Sequence, residues 1–300
     1  MQSHNIRLPA RSELRPANPV FEPFSAKFIE QTLNRSGSVE RMRTAHTPPQ
    51  GFYRFHPADS NQLLFVKIIP ASFAPALKKV ETLVRAMAQE DLPVIRCMGE
   101  SALTESHEFH IFYYPYLDSR YARCHEEDII LLGKELGNLH KILRQPFSCR
   151  KAESLRQSAH SHGNDSLKDL HASIVDISNA KAAALPNYSS AKRIISYARR
   201  FLNNFEHLLL DNCPDQKQMI HADLNYANTL FTMNKVELRF VDFENSLYSW
   251  LPSAVDVTMA IQRYVMCAAV SDEIKIALGK KMMQAYRKAA RIEPFKSQYL

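Results

Sequence analysis

Residues 1 to about 25 mix proline with polar side chains, show no periodicity and read as an N-terminal arm. Ser25 to Leu33 has the makings of a short helix. The pattern then turns to short apolar runs between turn formers. Gly51-Phe52-Tyr53-Arg54-Phe55 and Leu63-Leu64-Phe65-Val66-Lys67-Ile68-Ile69 are the clearest strands, with Pro57-Ala58-Asp59-Ser60-Asn61 turning between them. From Pro75 to Glu90, the residues Leu77, Val80, Leu83, Val84 and Met87 recur at helical spacing. Pro93 to Met98 and Glu108 to Tyr114 read as two further strands.

From Glu126 onward helical patterns dominate. Ile129 to Leu143 is strongly amphipathic, and Ser190 to Leu210 carries another long apolar period. The polar stretch Ser158 to Ser166 between them reads as a loop. One interruption stands out: Thr229 to Met233 and Val236 to Val241 predict a hairpin around Asn234-Lys235. Helices resume near Val255 and continue to Ala290. The expected organisation is α+β in two lobes: the arm over 1–25, a small sheet-rich lobe over 26–117, and a larger helical lobe over 118–300. A connector from Tyr113 to Ser119 joins the lobes.

Composition narrows the function classes. A chain of 300 residues that is 45% hydrophobic can bury a substantial core. Seven glycines are few for this length and argue against a fold built on many Gly-rich turns. The net charge of +7 permits an anionic partner such as a nucleotide, but the Lys and Arg residues are dispersed rather than striped, so nucleic acid is not expected. Cys97, Cys124, Cys149, Cys213 and Cys267 lie far apart and form no CxxC pair, which argues against a disulfide framework or a zinc site. The N-terminus lacks an apolar leader and no run is long enough to span a bilayer, so no membrane partner and a cytoplasmic location are expected.

The stretch His221-Ala222-Asp223-Leu224-Asn225-Tyr226-Ala227-Asn228-Thr229-Leu230-Phe231, continued by Val241-Asp242-Phe243-Glu244, concentrates the chemistry. Phosphoryl transfer asks a protein for positioning and charge neutralisation rather than covalent work. Asp223 is suited to accept a hydrogen bond from a substrate hydroxyl. Asn228, five residues on and entering a strand, can turn its amide oxygen to a magnesium ion. Asp242 follows the alternation Val236, Leu238, Phe240, so its carboxylate emerges at a strand end where it can bridge metal and phosphates. Magnesium takes such hard oxygens and keeps several waters, so one or two protein ligands suffice. Asp and Asn also cap and turn chains, and DxxxxN alone is weak; the hairpin and Asp242 give the combination its force.

These motifs resemble the catalytic and metal-binding motifs of the aminoglycoside phosphotransferase and choline kinase-like family, which has a protein-kinase-like two-lobed fold. The resemblance implies that Asp223 is the catalytic base, that Asn228 and Asp242 bind Mg, and that ATP, or GTP, is the donor. Ala222 stands where the family usually has glycine. Leu132-Gly133-Lys134-Glu135-Leu136-Gly137-Asn138-Leu139-His140 looks like the first helix of the family's large lobe. Asp256 looks like its buried aspartate opening the helix after the metal loop. In kinase-like folds a lysine placed like Lys67 holds the α- and β-phosphates and pairs with a glutamate of the next helix; Glu81 is the better candidate, Glu90 the weaker. The connector Phe112 to Leu117, with Tyr114 and Tyr116, would offer its backbone to the adenine. A kinase-type glycine loop is absent, Arg43 to Gly51 being the only candidate.

Plainer roles stand beside several of these residues. Lys67 on an edge strand would serve solubility, and Glu81 near Lys78 and Arg85 would be an ordinary surface acid. His221 is expected to be structural, and Glu244 is either a further metal-site carboxylate or a loop acid. Tyr226, Tyr248, Trp250 and Tyr264 are expected to pack a core, with Trp250 close behind the metal loop. Between Asp256 and Leu300 the acids are Asp256, Asp272, Glu273 and Glu293, against Arg263, Lys275, Lys280, Lys281, Arg287, Lys288, Arg291 and Lys296. That balance favours a sugar, nucleoside or amino alcohol over a polycationic aminoglycoside, while a choline-like cation held by aromatics stays open. The rival reading is a catalytically silent kinase-like nucleotide-binding or regulatory protein. A protein kinase is disfavoured by the missing glycine loop and the lack of an APE-type segment.

Overall fold

In the computed structural model, which describes residues 22–42, 50–102, 108–162, 217–233 and 237–291, a period of two builds the first sheet. Strands β1 (Gly37–Arg41), β2 (Gly51–Pro57), β3 (Leu64–Pro70), β4 (Gly99–Ala102) and β5 (Phe109–Pro115) pair antiparallel in the order β1-β2-β3-β5-β4. Alternate side chains leave opposite faces of a strand. Tyr53, Phe55, Val66, Ile68 and Ile111 therefore share one face and close on Phe28 and Ile29 of helix α1 (Glu22–Leu33). On the other face Ile69 and Phe112 pack with Leu77, Val80, Leu83, Val84 and Met87 of helix α2 (Ala74–Gln89). Lys67 lies on this α2 side, one residue out of step with Val66 and Ile68.

The strand expected over Pro93 to Met98 does not form. Pro93 lacks a ladder donor, and its carbonyl takes the Phe240 N–H at 2.9 Å. Val94 makes only an isolated bridge to Phe240, and the Cys97 N–H goes to the Glu81 carboxylate at 3.1 Å. Ladder pairing begins at Gly99, opposite Tyr113.

Beyond β6 (Ser119–Arg120) the chain is mainly helical: α3 (Glu126–Arg144), α4 (150–162), α5 (Ala254–Ile261) and α6 (Asp272–Ala290). Glu126, Glu127 and Asp128 in the first turn of α3 and Lys141 and Arg144 in its last turn complement the helix dipole. Ser158 to His162, expected as loop, continue α4 instead. Ala152 and Ala159 are buried there, with Leu155 packed beside them, an apolar period written largely in small residues. The rest of that loop, 163–166, and the helix expected over Ser190 to Leu210 lie outside the described residues.

The predicted hairpin is present. Strand β8 (Thr229–Thr232) pairs antiparallel with β9 (Leu238–Phe240), and β6 flanks β8. Strand β7 (Lys217–Met219) pairs with β10 (Trp250–Pro252). An antiparallel sheet followed by a helical part gives the expected α+β kinase-like architecture. Among the described residues no helix is long and apolar enough to cross a membrane.

Helices α3 and α6 approach through glycine. A Cβ on Gly133 would meet the Met282 carbonyl oxygen at 2.4 Å, and one on Gly137 the Tyr286 carbonyl oxygen at 2.6 Å. Both obstacles are backbone, so the helices would have to part. Gly133→Ala and Gly137→Ala should each destabilise the fold by about 1–3 kcal/mol despite alanine's better helix propensity. Gly279→Ala on α6, where a Cβ meets nothing within 4 Å, should stabilise by about 1 kcal/mol. Chemical denaturation of the three variants checks the opposite signs.

Candidate active site

Strand β7 hands the chain to a loop at 220–228 whose backbone is pinned from behind. Asp256, in the first turn of α5 and fully buried, accepts hydrogen bonds from His221 N at 2.8 Å, Ala222 N at 2.9 Å and His140 Nε2 at 3.0 Å. Burial pushes its carboxyl up, but the His140 bond, the His221 ring and backbone N–H outweigh it and hold the group below the usual carboxylate range. Ala222 adopts φ 64°, a left-handed conformation that costs a side-chain-bearing residue about 1 kcal/mol and glycine almost nothing. His221 is itself buried. Its Nδ1 accepts from the Asp223 N–H at 3.3 Å, which leaves Nε2 protonated to donate to the Val241 carbonyl at 2.9 Å. The histidine thus ties the loop to the strand end that carries Asp242, a structural role.

Asp223 has both carboxylate oxygens engaged. Oδ1 accepts from Asn225 Nδ2 at 3.1 Å and from Arg263 Nη1 at 3.4 Å. Oδ2 accepts from Asn228 Nδ2 at 3.1 Å, and the same amide nitrogen reaches the Asp223 main-chain carbonyl at 2.8 Å. With its nitrogen turned to Asp223, the Asn228 amide keeps its oxygen for another ligand. Thr229 faces Phe240 across the hairpin, and Val241 N donates to the Asn228 carbonyl at 3.0 Å, so Asp242 is delivered beside Asn228. Burial raises the Asp242 carboxyl above its ordinary range; Lys67 offsets this and Glu244 adds to it.

Lys67 crosses from the sheet to meet this group. Its Nζ lies 2.5 Å from Glu244 Oε1, 3.8 Å from Asp242 Oδ1 and 5.8 Å from the centre of the Phe52 ring. The expected Lys67–Glu81 pair gives way to this arrangement. Glu81, buried on α2, accepts instead from Tyr114 Oη at 2.8 Å and from Cys97 N. Burial raises the Glu81 carboxyl, and their own burial, with the Glu81 charge beside them, pushes the Tyr114 hydroxyl well up and the Cys97 thiol up to about 12. Glu90 sits at the C-cap of α2. Tyr116, expected to serve adenine through its backbone, donates its N–H to the Leu63 carbonyl at 2.9 Å, and Arg54 lies over its ring at 5.6 Å.

Sequence reasoning left Glu244 between two roles and counted Arg263 only among the basic residues. No local pattern marks Arg263, which lies forty positions from Asp223 on a π-helical turn, Gln262–Met266. Tyr226 Oη donates to the Arg263 carbonyl, and Thr229 Oγ1 and Tyr264 Oη lie 2.5 Å apart, so the turn is fastened to the loop at 220–228 and the strand after it. Trp250 belongs elsewhere: its ring meets His160 at 4.7 Å and Arg156 at 5.6 Å on α4. Among the described residues no three His, Cys, Asp or Glu side chains cluster to hold a metal. The Asn228 amide oxygen and the Asp242 carboxylate are a hard-oxygen pair of the kind magnesium accepts when phosphates and waters complete its shell.

Comparison with known proteins bears on the fold and the family. The fold is similar to a spectinomycin phosphotransferase solved with ADP and spectinomycin, at TM-score 0.53 and 10% identity over 96% of this chain and 81% of that one. It is similar to the ethanolamine kinase of Plasmodium vivax, at TM-score 0.51 and 13% identity over 84% and 72%. A thermostable mutant of an aminoglycoside phosphotransferase matches at TM-score 0.52 and 12% identity over 88% and 82%. At such identities the likeness is one of fold. No curated protein matches the sequence. The model of the phosphotransferase enzyme family matches residues 50–291, strands β2 to β5 and the candidate site included, and the chain belongs to that family.

Proposed function

We propose that this phosphotransferase moves the γ-phosphoryl group of ATP, with GTP as the other candidate donor, to a hydroxyl of a small molecule. The observation that carries the reading is the linkage of Asp223, Asn228, Asp242 and Lys67, drawn from separate stretches of chain, through short contacts. A carboxylate base, an amide oxygen, a carboxylate and an ammonium are the groups that in-line phosphoryl transfer needs.

Asp223 takes the proton of the acceptor. As the alcohol oxygen bonds to the γ-phosphorus, its hydrogen passes to the Asp223 carboxylate, and the bond from phosphorus to the β–γ bridging oxygen breaks to release ADP. Asn225 and Asn228 orient the two carboxylate oxygens for that transfer. Asn228 and Asp242 would hold magnesium, which when bound neutralises the triphosphate. Lys67, aimed at the metal loop by Glu244 and Asp242, would hold the α- and β-phosphates. Phe65 and Tyr114, 5.9 Å apart on the same face of the sheet as Lys67, give adenine an aromatic surface beside the connector. A neutral or anionic hydroxyl compound suits the basic carboxy-terminal region better than a polycationic aminoglycoside does.

Replacing the base separates chemistry from binding. Asp223→Asn should lower kcat for ADP release by about 100- to 10,000-fold while leaving the magnesium-dependent thermal shift with ATP in place. Full activity in that variant would remove Asp223 from its role. A kinase-like protein without transfer activity would instead show equal ADP release with and without the substitution for every alcohol offered. Asn228→Ala and Asp242→Asn should each raise the magnesium concentration needed for half-maximal nucleotide binding by about tenfold or more; an unchanged magnesium titration would show that the metal binds elsewhere.

A further inference from the structure

Arg263 is the cation closest to the proposed base, and its placement bears on what the acceptor is. Oδ2 of Asp223 is held from the metal side, through Asn228. Oδ1 is held by Asn225 and by the Arg263 guanidinium at 3.4 Å. The acceptor hydroxyl must reach this same carboxylate, so whatever binds there lies against the guanidinium. Arg263 and Asp223 are each about one-third exposed, at 34% and 32% of the side chain, which leaves both open to a ligand. Among the described residues, one guanidinium N–H of Arg263 is used on Asp223 and its remaining N–H groups have no partner. The backbone position is fixed by the Tyr226 hydroxyl on the Arg263 carbonyl and by the Thr229–Tyr264 contact one residue on. A planar fork of donors, held in place and only partly used, matches a carboxylate or phosphate.

Resting on the phosphotransferase reading above, we propose that Arg263 recognises the acceptor, and that the acceptor is a hydroxy compound carrying an acidic group beside the hydroxyl that is phosphorylated. The 3.4 Å between Nη1 and Oδ1 sets the spacing: the acidic group and the hydroxyl sit on the same or neighbouring carbons, as in an α- or β-hydroxy acid or a phosphate ester with a vicinal hydroxyl. Docking of the acid on the unused guanidinium N–H groups brings the hydroxyl onto the Asp223 carboxylate beside it. A polycationic or quaternary-ammonium alcohol meets a like charge at the same point.

The test uses the whole chain loaded with magnesium and ADP for binding, and with magnesium and ATP for turnover. One arm offers hydroxycarboxylates with their primary amides, a second offers phosphate esters with their dephosphorylated alcohols, and a third offers ethanolamine and choline. Ligand-observed NMR reads binding, and coupled ADP release reads kcat and KM. The wild type should favour at least one acid over its neutral partner by about 10- to 100-fold in kcat/KM, and the arm that responds tells carboxylate from phosphate. Arg263→Met should erase that preference chiefly through KM, and Arg263→Lys should restore it only in part. The inference is overturned if neutral or cationic alcohols are preferred, or if no acid binds the wild type more tightly than Arg263→Met. It is equally overturned if the substitution lowers kcat alike for acid and neutral partners, the signature of a residue that only steadies Asp223. Failure of ADP itself to bind with magnesium would strike the phosphotransferase reading instead.

Discussion

A single buried carboxylate organises the site. Asp256 is fully buried, so its charge must be met by donors in the interior. It is met by the backbone N–H groups of His221 and Ala222 and by the His140 ring. That requirement forces the chain just before Asp223 to face α5, and Ala222 accepts a left-handed backbone to comply. The same aspartate joins α3, through His140, to the catalytic loop, so helix packing and loop geometry are coupled. The close approach of α3 to α6 at Gly133 and Gly137 seats the helix that carries His140.

From that anchor the remaining groups follow by short links. His221 reaches the Val241 carbonyl, Val241 N reaches the Asn228 carbonyl, and Asn228 reaches Asp223. The hairpin therefore ties the backbone of Asn228 to that of Val241, next in the chain to Asp242. Lys67, from the sheet, closes the arrangement through Glu244 and Asp242. It is a charge bridge between the sheet and the loop that carries Asp242, whose carboxyl is raised chiefly by burial, with Lys67 opposing and Glu244 adding to the shift.

Local patterns made the strands, α2, α3 and the hairpin legible, because period-two and period-3.6 apolar spacing is written directly in residues such as Tyr53, Phe55, Val66 and Ile68 or Leu132, Leu136 and Leu139. The spacing of Asp223, Asn228 and Asp242 was legible for the same reason, since loop and hairpin are contiguous. What escaped depends on distant partners. Val94 and Cys97 spend their backbone on Phe240 and Glu81 rather than on a neighbouring strand, and nothing within 93–98 announces it. Ala152 and Ala159 bury a helix face with side chains too small to register as a stripe. Glu81 turns to Tyr114, a residue thirty-three positions away, and Lys67 to Glu244 across the cleft. Arg263 reaches Asp223 through a π-helical turn that no spacing rule foresees.

The central claim is that these groups share one metal-bound triphosphate. A crystal structure of the chain with a non-hydrolysable ATP analogue and manganese in place of magnesium tests it most directly. The account predicts one anomalous peak about 2.1–2.2 Å from both the Asn228 amide oxygen and an Asp242 carboxylate oxygen, with Lys67 on the phosphates. A metal bound away from both residues, or a triphosphate that lies clear of Lys67, would contradict it.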